Sequence, residues 1–406
     1  MIPTVFDVVL LIALALIFAR LLGYIFDRFK QPAVIGEIIA GIILGGLGLV
    51  VFSGQSFSFF NFTFSLPQLS YNSEEFKLFA EIGILFMLFI SGLQTSLSKL
   101  KKMGKPSSFV AIGGIVLPLI LGIAAGMFFG FSQQDSIVIG LILVATSVGV
   151  TVRTLMDLHA LDSDVGTTIL GGAVIDDVLG IILLAFVLGI DSPIYIGIKI
   201  IIFFLIFLYL GLKIMDKILD LGEKIHLPKA LLSISLAVFL IFSFFADKSG
   251  ISGIIGAFVA GLIIGHTLKS RKIIDDVQAI GYGFFIPLFF VWVGASLWDG
   301  ASQDLSSFTA IGLLALVIII VAIVGKMVGC GIGAKLAGMK NKESLQIGVG
   351  MIPRMELALI IVSSAISHGL LSSPKVEHQI LAATILLTIA TTLIAPLLIK
   401  AVFKQR

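Results

Sequence analysis

Acidic side chains inside apolar segments are the residues of this sequence best placed to do chemistry. Asp176 and Asp177 are adjacent in GGAVIDDVLGIILLAFV, with apolar stretches on either side. Carboxylates in apolar surroundings can bind and release protons near neutral pH, and a charged carboxylate can also hold a hard cation. The pair therefore predicts a proton-exchange site. The alternative is a structural salt bridge to another helix, and Asp176 can serve in both roles.

Lys326 is the predicted partner of the aspartate pair. Adjacent helical positions differ by about 100° in direction, so Asp176 and Asp177 cannot point at the same spot. One carboxylate can face a cavity while the other faces a neighbouring helix. Lys326 lies deep in VIIIVAIVGKMVGCGIG, where an unpaired ammonium is costly. The alternative is that it snorkels to the surface. Its stem would then have to cover the nine residues to Lys335, about 13 Å along a helix.

Two further segments have the composition of interrupted helices. LVATSVGVTVR has hydroxyl residues and a glycine at its centre, and GVGMIPRMELA has glycine and proline beside charged residues. An opened helix in a membrane is tolerated where it lines a cavity, and its ends present carbonyls to cations and amides to anions. For any single hydroxyl, the alternative is a bond to its own helix. The candidate polar residues are Thr146, Ser147, Thr151, Arg354 and Glu356.

The elements that would position these residues are membrane helices. Of the 406 residues, 58% are hydrophobic and only 13% are charged, which excludes a soluble globular protein. We therefore predict an all-α polytopic membrane protein embedded in a lipid bilayer. With roughly 20 residues per crossing, the apolar runs predict thirteen spans, at about 4–26, 33–51, 76–97, 107–131, 135–156, 165–190, 194–217, 229–246, 251–268, 277–298, 307–337, 343–367 and 376–402.

The basic residues predict the orientation of these spans. Nineteen Lys and Arg residues fall on one side and three on the other, so the richer side is predicted to be cytoplasmic. An odd number of spans then places the amino terminus outside and the carboxyl terminus in the cytoplasm. The loop 52–75 contains neither Lys nor Arg and is predicted to lie outside. The sequence thus predicts a multi-pass protein of the cell membrane.

An internal repeat relates the two halves of the chain. IGEIIAGIILG begins at Ile35 and IGAFVAGLIIG begins at Ile255, an offset of 220 residues. A shift of seven spans is odd, so the halves are predicted to have opposite topologies. Such inverted repeats are typical of transporters. We expect a single transmembrane domain over 1–403, with repeats of about 1–190 and 229–403 joined by a helix at about 194–217.

The same sequence argues against several other classes of protein. The basic residues form short scattered clusters, so no nucleic-acid partner is expected. Cys330 is the single cysteine, and the five histidines lack metal-ligand spacing, so no cofactor is expected. An intramembrane aspartyl protease needs two aspartates that converge from separate helices, which adjacent residues cannot do. We therefore predict that the protein is not an enzyme.

Six stretches together resemble a known family. They occur in family order along nearly the whole chain: QPAVIGEIIAGIILG (31–45), AEIGILFMLFISGLQ (80–94), ATSVGVTVRTL (145–155), GGAVIDDVLG (171–180), FFIPLFFVWVGASL (284–297) and IPRMELALII (352–361). On these motifs the chain resembles the cation/proton antiporter superfamily. The resemblance is to the branch that holds the NapA-type Na⁺/H⁺ antiporters and the Kef-type K⁺/H⁺ transporters.

The resemblance implies a fold and roles for the candidate residues. It implies thirteen helices in an NhaA/NapA-like fold, a homodimer, and a mobile core domain with two crossed, unwound helices. Asp177 would bind cation and proton in alternation, Asp176 would be the second proton carrier, and Lys326 would be its ion-pair partner. Thr146 and Ser147 would join the aspartates around the cation. The supporting polar residues of the unwound helices would be Thr151, Arg354 and Glu356.

The function implied is secondary active antiport of Na⁺ or Li⁺ against H⁺ by alternating access, with net charge movement. The adjacent aspartates favour Na⁺, because Kef-type relatives more often carry Gln before the aspartate. A K⁺/H⁺ antiporter on the same fold is the nearest alternative, and a passive cation channel is a distant one. Gln94 departs from the acidic residue found in many relatives. No soluble regulatory domain of the Kef type is expected within this chain.

Overall fold

Helices dominate the structure. The computed structural model describes residues 5–29, 31–50, 56–59, 62–65, 71, 73–188, 193–225, 227–250, 253–295 and 308–403. The α-helices in these residues are α1 (Val5–Arg28), α2 (Ala33–Val50), α3 (Glu74–Gln94), α4 (Leu97–Lys102), α5 (Gly104–Phe128), α6 (Gln133–Val144), α7 (Val148–Asp157), α8 (Asp164–Leu188), α9 (Pro193–Phe204), α10 (Gly211–Lys224), α11 (Ala230–Lys248), α12 (Gly253–His266), α13 (Ser270–Ile280), α14 (Ile286–Ala295), α15 (Phe308–Leu336), α16 (Asn341–Gly350), α17 (Glu356–Ser367) and α18 (Pro374–Phe403). Two π-helical segments, Leu205–Leu210 and Gly281–Phe285, join α9 to α10 and α13 to α14.

The predicted helical membrane architecture is confirmed. Nine helices in the described ranges are long and apolar enough to cross a membrane, and three shorter apolar helices lie at 33–48, 253–266 and 357–366. Each predicted span overlaps one or more of the described helices. The count of thirteen crossings stays a prediction. The helical tracts also extend beyond the predicted ranges, because α10 continues to Lys224 and α13 begins at Ser270.

A short β-hairpin lies within the predicted outer loop 52–75, in an otherwise helical structure. Within the predicted outer loop, β1 (Ser56–Phe59) and β2 (Phe62–Ser65) form an antiparallel hairpin in which Ser56 pairs with Ser65 and Phe59 with Phe62. The sequence SFSF–FTFS alternates aromatic and hydroxyl residues. This period of two is the pattern of a strand, although the segment was predicted to be part of a loop.

The chain divides into two compact units by its internal contacts. The first unit holds the described residues within 1–87 and 278–306, and the second unit holds those within 88–277 and 307–406. In the first unit, α1, α2 and α14 pack together. In the second, α10, α11 and α12 form one group. Helices α5 to α8 and α15 to α18 form another group, and this group contains all the candidate site residues.

Close helix crossings recur at the offset of the sequence repeat. A Cβ added to Gly36 would lie 2.4 Å from the carbonyl oxygen of Leu22, and one added to Gly256 would lie 2.4 Å from that of Phe242. Both members of the second contact lie 220 residues after those of the first. Glycine is needed at both places because the facing backbone occupies the space of a side chain. The repeat in sequence is thus matched by a repeat in helix contacts.

A second pair of glycines at the same offset, Gly41 and Gly261, also lies at close helix crossings, but the residues that they face do not keep the offset. A Cβ on Gly41 would lie 2.0 Å from the carbonyl oxygen of Val291, within the first unit. Its counterpart Gly261 would lie 2.2 Å from that of Phe89, within the second unit. Each unit therefore contains one member of both glycine pairs.

The helices around the candidate site share one apolar core. Helices α5 and α15 cross at Gly113 and Gly329, where a Cβ on either residue would lie 2.2 Å from the carbonyl oxygen of the other. Buried apolar side chains of α6, α15, α17 and α18 form a continuous cluster, represented by Ile142, Ile318 and Leu387. This packing fixes the helices on which the polar residues are carried.

Ion pairs join helix ends on the predicted cytoplasmic side of the second unit. Lys229 lies 2.7 Å from Asp276 and Lys272 lies 2.6 Å from Glu223. Lys269 pairs with Asp220, and its hydrogen bond lowers the pKa of that carboxyl group below its usual value. These exposed pairs connect α10, α11 and α13.

Candidate functional site

Asp176 and Lys326 form a buried ion pair. The Lys326 Nζ atom on α15 lies 3.0 Å from both carboxylate oxygens of Asp176 on α8. The side chains are only 0% and 1% exposed. Removing one partner of such a pair leaves an uncompensated buried charge, so each residue constrains the charge state of the other.

Asp177 has different surroundings from its neighbour. It follows Asp176 on α8, and its side chain is partly exposed, whereas that of Asp176 is buried. The difference follows from the angle of about 100° between successive residues of a helix. One carboxylate is therefore held by Lys326, and the other has a different, partly exposed environment.

The first break in a helix separates α6 from α7. Helix α6 ends at Val144, α7 begins at Val148, and Ala145, Thr146 and Ser147 are not helical. The Thr146 hydroxyl is close enough to the Asp176 carboxylate to interact with it. Its oxygen is buried and makes no hydrogen bond of normal geometry among the described residues. The break thus places a buried hydroxyl oxygen beside the aspartate.

The second break separates α16 from α17 and is occupied by Arg354. The guanidinium is fully buried and donates to three carbonyl oxygens: Ile352 at 2.7 Å, Leu143 at 2.6 Å and Ala322 at 3.3 Å. Leu143 lies in the last turn of α6, whose final carbonyls lack partners within the helix. Arg354 therefore places a positive charge at the negative end of α6.

Two threonines of α18 hold the backbone of the second break. The Arg354 N–H donates to Thr391 Oγ1 at 3.2 Å, and Thr392 Oγ1 donates to the Arg354 carbonyl at 3.2 Å. These hydroxyls replace the helical partners that the interruption removes. The sequence analysis missed both residues. The signal was present as TIATTL, a cluster of threonines in an otherwise apolar helix.

The two breaks contact each other directly. The Ser147 N–H donates to the Pro353 carbonyl at 2.8 Å, and Thr151 Oγ1 donates to the Gly350 carbonyl at 2.6 Å. Thr151 thus bonds across the crossing, and the alternative of a bond to its own helix does not apply to it. Thr154, one turn later, does bond its own helix at Val150.

The structure brings most of the predicted residues together. Lys326 bonds Asp176, Thr146 and Arg354 lie near enough to act on the same carboxylate, and Ser147 and Thr151 join the two breaks. The side chain of Glu356 lies outside the described residues. The assembly offers carboxylate and hydroxyl oxygens, the ligands that hard cations prefer, beside groups that can exchange protons.

The sequence matches a family described as "Sodium/hydrogen exchanger, transmembrane" over residues 10–405. The chain is 34% identical over 400 residues to a protein of Bacillus cereus named Na(+)/H(+)-K(+) antiporter GerN, covering 97% of this chain and 95% of that protein. It is also 34% identical over 405 residues to a Na(+)/H(+) antiporter of Enterococcus hirae, covering 97% and 98%. Both similarities extend along essentially the whole chain.

A solved structure shares the fold. The sodium proton antiporter MjNhaP1 of Methanocaldococcus jannaschii superposes with a TM-score of 0.59, covering 96% of this chain and 95% of that one. The two sequences are 18% identical, so the likeness concerns the arrangement of helices.

Proposed function

The chain belongs to the sodium/hydrogen exchanger family, which consists of transporters rather than enzymes, and we propose that it exchanges Na⁺ or Li⁺ for H⁺ by alternating access at the helix crossing. The observation that carries the proposal is the buried Asp176–Lys326 pair beside the partly exposed Asp177. One carboxylate is committed to an ion pair that a proton can open, and the other is partly exposed. An exchanger needs both properties at one place.

Competition between cation and proton at Asp177 is the proposed core of the cycle. When Asp177 is ionised, its oxygens join those of Thr146 and Ser147 as a hard-oxygen site for Na⁺. When Asp177 is protonated, it is neutral and the cation leaves. Asp176 contributes a second carboxylate, and Thr151 and Arg354 hold the two breaks in place around the site.

The Asp176–Lys326 pair would couple a second proton to the cycle. Protonation of Asp176 removes the negative charge that Lys326 faces, so the ion pair opens. In the proposed cycle the pair opens on one side of the membrane and forms again on the other. Two protons would then move against one Na⁺, which leaves one net charge per cycle. We therefore propose electrogenic exchange.

Membrane placement completes the proposal. The asymmetry of basic residues supports a cell-membrane protein with its amino terminus outside and its carboxyl terminus in the cytoplasm. The matched glycine crossings at an offset of 220 residues support two inverted repeats. We also propose a homodimer, in keeping with the resemblance to the antiporter superfamily.

A second candidate is K⁺/H⁺ exchange on the same fold. The observation in its favour is that one relative carries K⁺ as well as Na⁺ in its name. Carboxylate and hydroxyl oxygens accept either cation, so the donor set alone favours neither.

Cation-driven collapse of a pH gradient in proteoliposomes tests both candidates. Na⁺, Li⁺ and K⁺ are compared with the membrane potential clamped or free. If Na⁺ and Li⁺ collapse the pH gradient and a membrane potential can drive this exchange, the result supports electrogenic Na⁺/H⁺ exchange. If only K⁺ collapses the pH gradient, and the rate does not depend on the membrane potential, the result supports the second candidate. Asp176 and Lys326 would then form a structural pair.

Asp177→Asn tests the site itself. The amide cannot carry a proton or a charge, so exchange is expected to fall to background. The matched control is Asp164→Asn at the start of the same helix, where the side chain is 54% exposed, and exchange should persist. An Asp177→Asn protein that still exchanges Na⁺ for H⁺ would remove Asp177 from the mechanism.

A further inference from the structure

A groove follows one side of the helical tract formed by α9, the π-helical segment and α10. It has a volume of about 420 Å³, and its six lining residues form two rows of positions four residues apart, the spacing of ridges on a helix surface. The first row is 60–65% exposed and the second is half-buried, so the groove is the step between them. The first row consists of Ile201, Leu205 and Tyr209, and the second row of Phe204, Leu208 and Leu212.

The π-helical segment Leu205–Leu210 lies in the middle of the groove. Its hydrogen bonds join residues five apart, so its turn is wider than that of an α-helix, and single turns of this kind are frequent at functional sites. Three of the lining residues, Leu205, Leu208 and Tyr209, belong to this segment. The irregular turn therefore coincides with the separation of the two rows.

The groove has the length of one half of a lipid bilayer. From Ile201 to Leu212 the tract advances by eleven residues, which is about 16 Å along a helix. The hydrocarbon core of one leaflet is about 15 Å deep. Tyr209 lies near one end of the groove, and tyrosine is enriched where the hydrocarbon meets the headgroups. An acyl chain along the groove would therefore bring its headgroup to the residues that follow Leu212.

Charged residues extend both rows toward the predicted cytoplasmic side. Lys213 and Lys217 continue the first row, and Asp216 continues the second row. All three are exposed, and none of them makes an ion pair with another described residue. The next position of the second row differs, because Asp220 pairs with Lys269. The end of the groove thus has two cationic groups on one row and one anionic group on the other that the described protein does not use.

We propose that the groove binds phosphatidylethanolamine, with an acyl chain between the rows, the phosphate at Lys213 and Lys217, and the primary ammonium at Asp216. Lysine binds phosphate as a point charge, and a carboxylate accepts hydrogen bonds from a primary ammonium. Phosphatidylglycerol offers no cation to Asp216, and the quaternary ammonium of phosphatidylcholine has no N–H to donate. A headgroup that carries both a phosphate and a primary ammonium therefore fits both rows. The proposal does not rest on the exchange function.

Native mass spectrometry of the delipidated full chain in detergent tests the site. Dioleoyl-phosphatidylethanolamine, dioleoyl-phosphatidylglycerol and dioleoyl-phosphatidylcholine are titrated separately, and the dissociation constant of the first bound lipid is measured for each. Leu208→Trp fills the groove, and its control, Ile206→Trp, adds the same ring in the same π-helical segment outside the lining residues. Asp216→Asn removes the carboxylate at an exposed position, and its control is Asp275→Asn, on an exposed acid of α13.

We expect wild type to bind phosphatidylethanolamine about tenfold more tightly than either other lipid, because a hydrogen bond between charged groups is gained. Asp216→Asn should abolish this preference without weakening the binding of phosphatidylglycerol. Leu208→Trp should weaken the binding of all three lipids, because each needs the groove for its chain. Both controls should bind the three lipids like wild type.

Three results would overturn the proposal. Equal affinity of wild type for the three lipids would mean that only unselective boundary lipid is bound. A preference for phosphatidylethanolamine that persists in Asp216→Asn would separate the preference from this headgroup site. If Leu208→Trp leaves lipid affinity unchanged and instead abolishes a dimer in the mass spectrum, a second copy of the chain covers the groove.

Discussion

The two helix breaks meet at one crossing, but different groups complete them. The first break, Ala145–Ser147, contains small and hydroxyl residues, and its Thr146 oxygen lies beside Asp176 without a normal hydrogen bond among the described residues. The second break holds Arg354, whose guanidinium donates to three carbonyl oxygens. The first break holds the oxygen atoms at which we propose that a cation binds. The other already contains a cation of its own.

This difference assigns separate tasks to two similar elements. The buried guanidinium compensates the carbonyl end of α6 throughout the neutral pH range, in which arginine keeps its proton. The aspartate pair beside the first break can change its charge. The geometry is thus held by a group that does not titrate, and the proposed exchange is carried by groups that do.

Arg354→Ala tests the second break and should have the largest effect of these variants on stability. Three carbonyls would lose a charged donor, and a buried cavity would remain, so we expect a loss of about 3–5 kcal/mol of stability. Melting of the detergent-purified protein measures it, and the loss should be the same at pH 6 and pH 8. Arg271→Ala, on an exposed arginine of α13, is the control and should melt like wild type. Equal melting of the two variants would contradict the role given to Arg354.

Thr146→Val tests the first break, where the hydroxyl is expected to affect Na⁺ binding and not stability. The substitution removes a buried hydroxyl without a normal hydrogen bond, so stability should be unchanged or slightly higher. The apparent affinity for Na⁺ should fall about tenfold, equivalent to roughly 1.4 kcal/mol. Thr154→Val removes a hydroxyl that bonds its own helix and should leave Na⁺ affinity unchanged. An unaltered Na⁺ dependence of exchange in Thr146→Val would exclude this hydroxyl as a ligand.

Thr391→Val and Thr392→Val test the support of the second break. Each removes one hydrogen bond to the backbone of Arg354, so each should cost about 1 kcal/mol in melting experiments. Na⁺ affinity should be kept, in contrast to Thr146→Val. Thr384→Val, which removes a bond to its own helix, is the matched control. A change in Na⁺ affinity as large as that of Thr146→Val would erase the distinction between the breaks.

Lys269→Gln should have the smallest effect on stability, because the ion pairs that it removes lie at the surface and not in the interior. The pKa of Asp220 is lowered and that of Lys269 is raised by their mutual hydrogen bond. Their contribution is therefore present between the ordinary pKa values of the two groups, near pH 4 and pH 10. It is lost as pH falls through the lowered pKa of Asp220 or rises through the raised pKa of Lys269. Wild type and variant should differ slightly in melting at pH 7 and converge below pH 4.

Charges in apolar segments were the most informative part of the sequence. The cost of burying an unpaired ammonium led to the prediction that Lys326 meets the aspartate pair, and the structure places it on Asp176. Alternation of aromatic and hydroxyl residues at 56–65 indicates a hairpin, but the segment was predicted as part of the outer loop 52–75.

Backbone partners account for what the sequence did not reveal. The carbonyls that Arg354 bonds belong to residues of no distinctive type, such as Leu143 and Ala322. The roles of Thr391 and Thr392 likewise depend on a peptide group. Side-chain chemistry can be read from residue types, whereas contacts to peptide groups depend on the folded path of the chain.

The bonds between the breaks also bear on how the chain is made. The Ser147 N–H donates to the Pro353 carbonyl, and the Leu143 carbonyl accepts from the Arg354 guanidinium. The partners of the first break are therefore synthesised about 200 residues later. At translation rates of about 5–20 residues per second, this is a delay of roughly 10–40 s. During that time the first half is already inserted, and its opened helix needs other partners, because bare peptide groups are costly in lipid. The opened helix of the first break therefore spends this interval without the groups that it bonds in the folded protein.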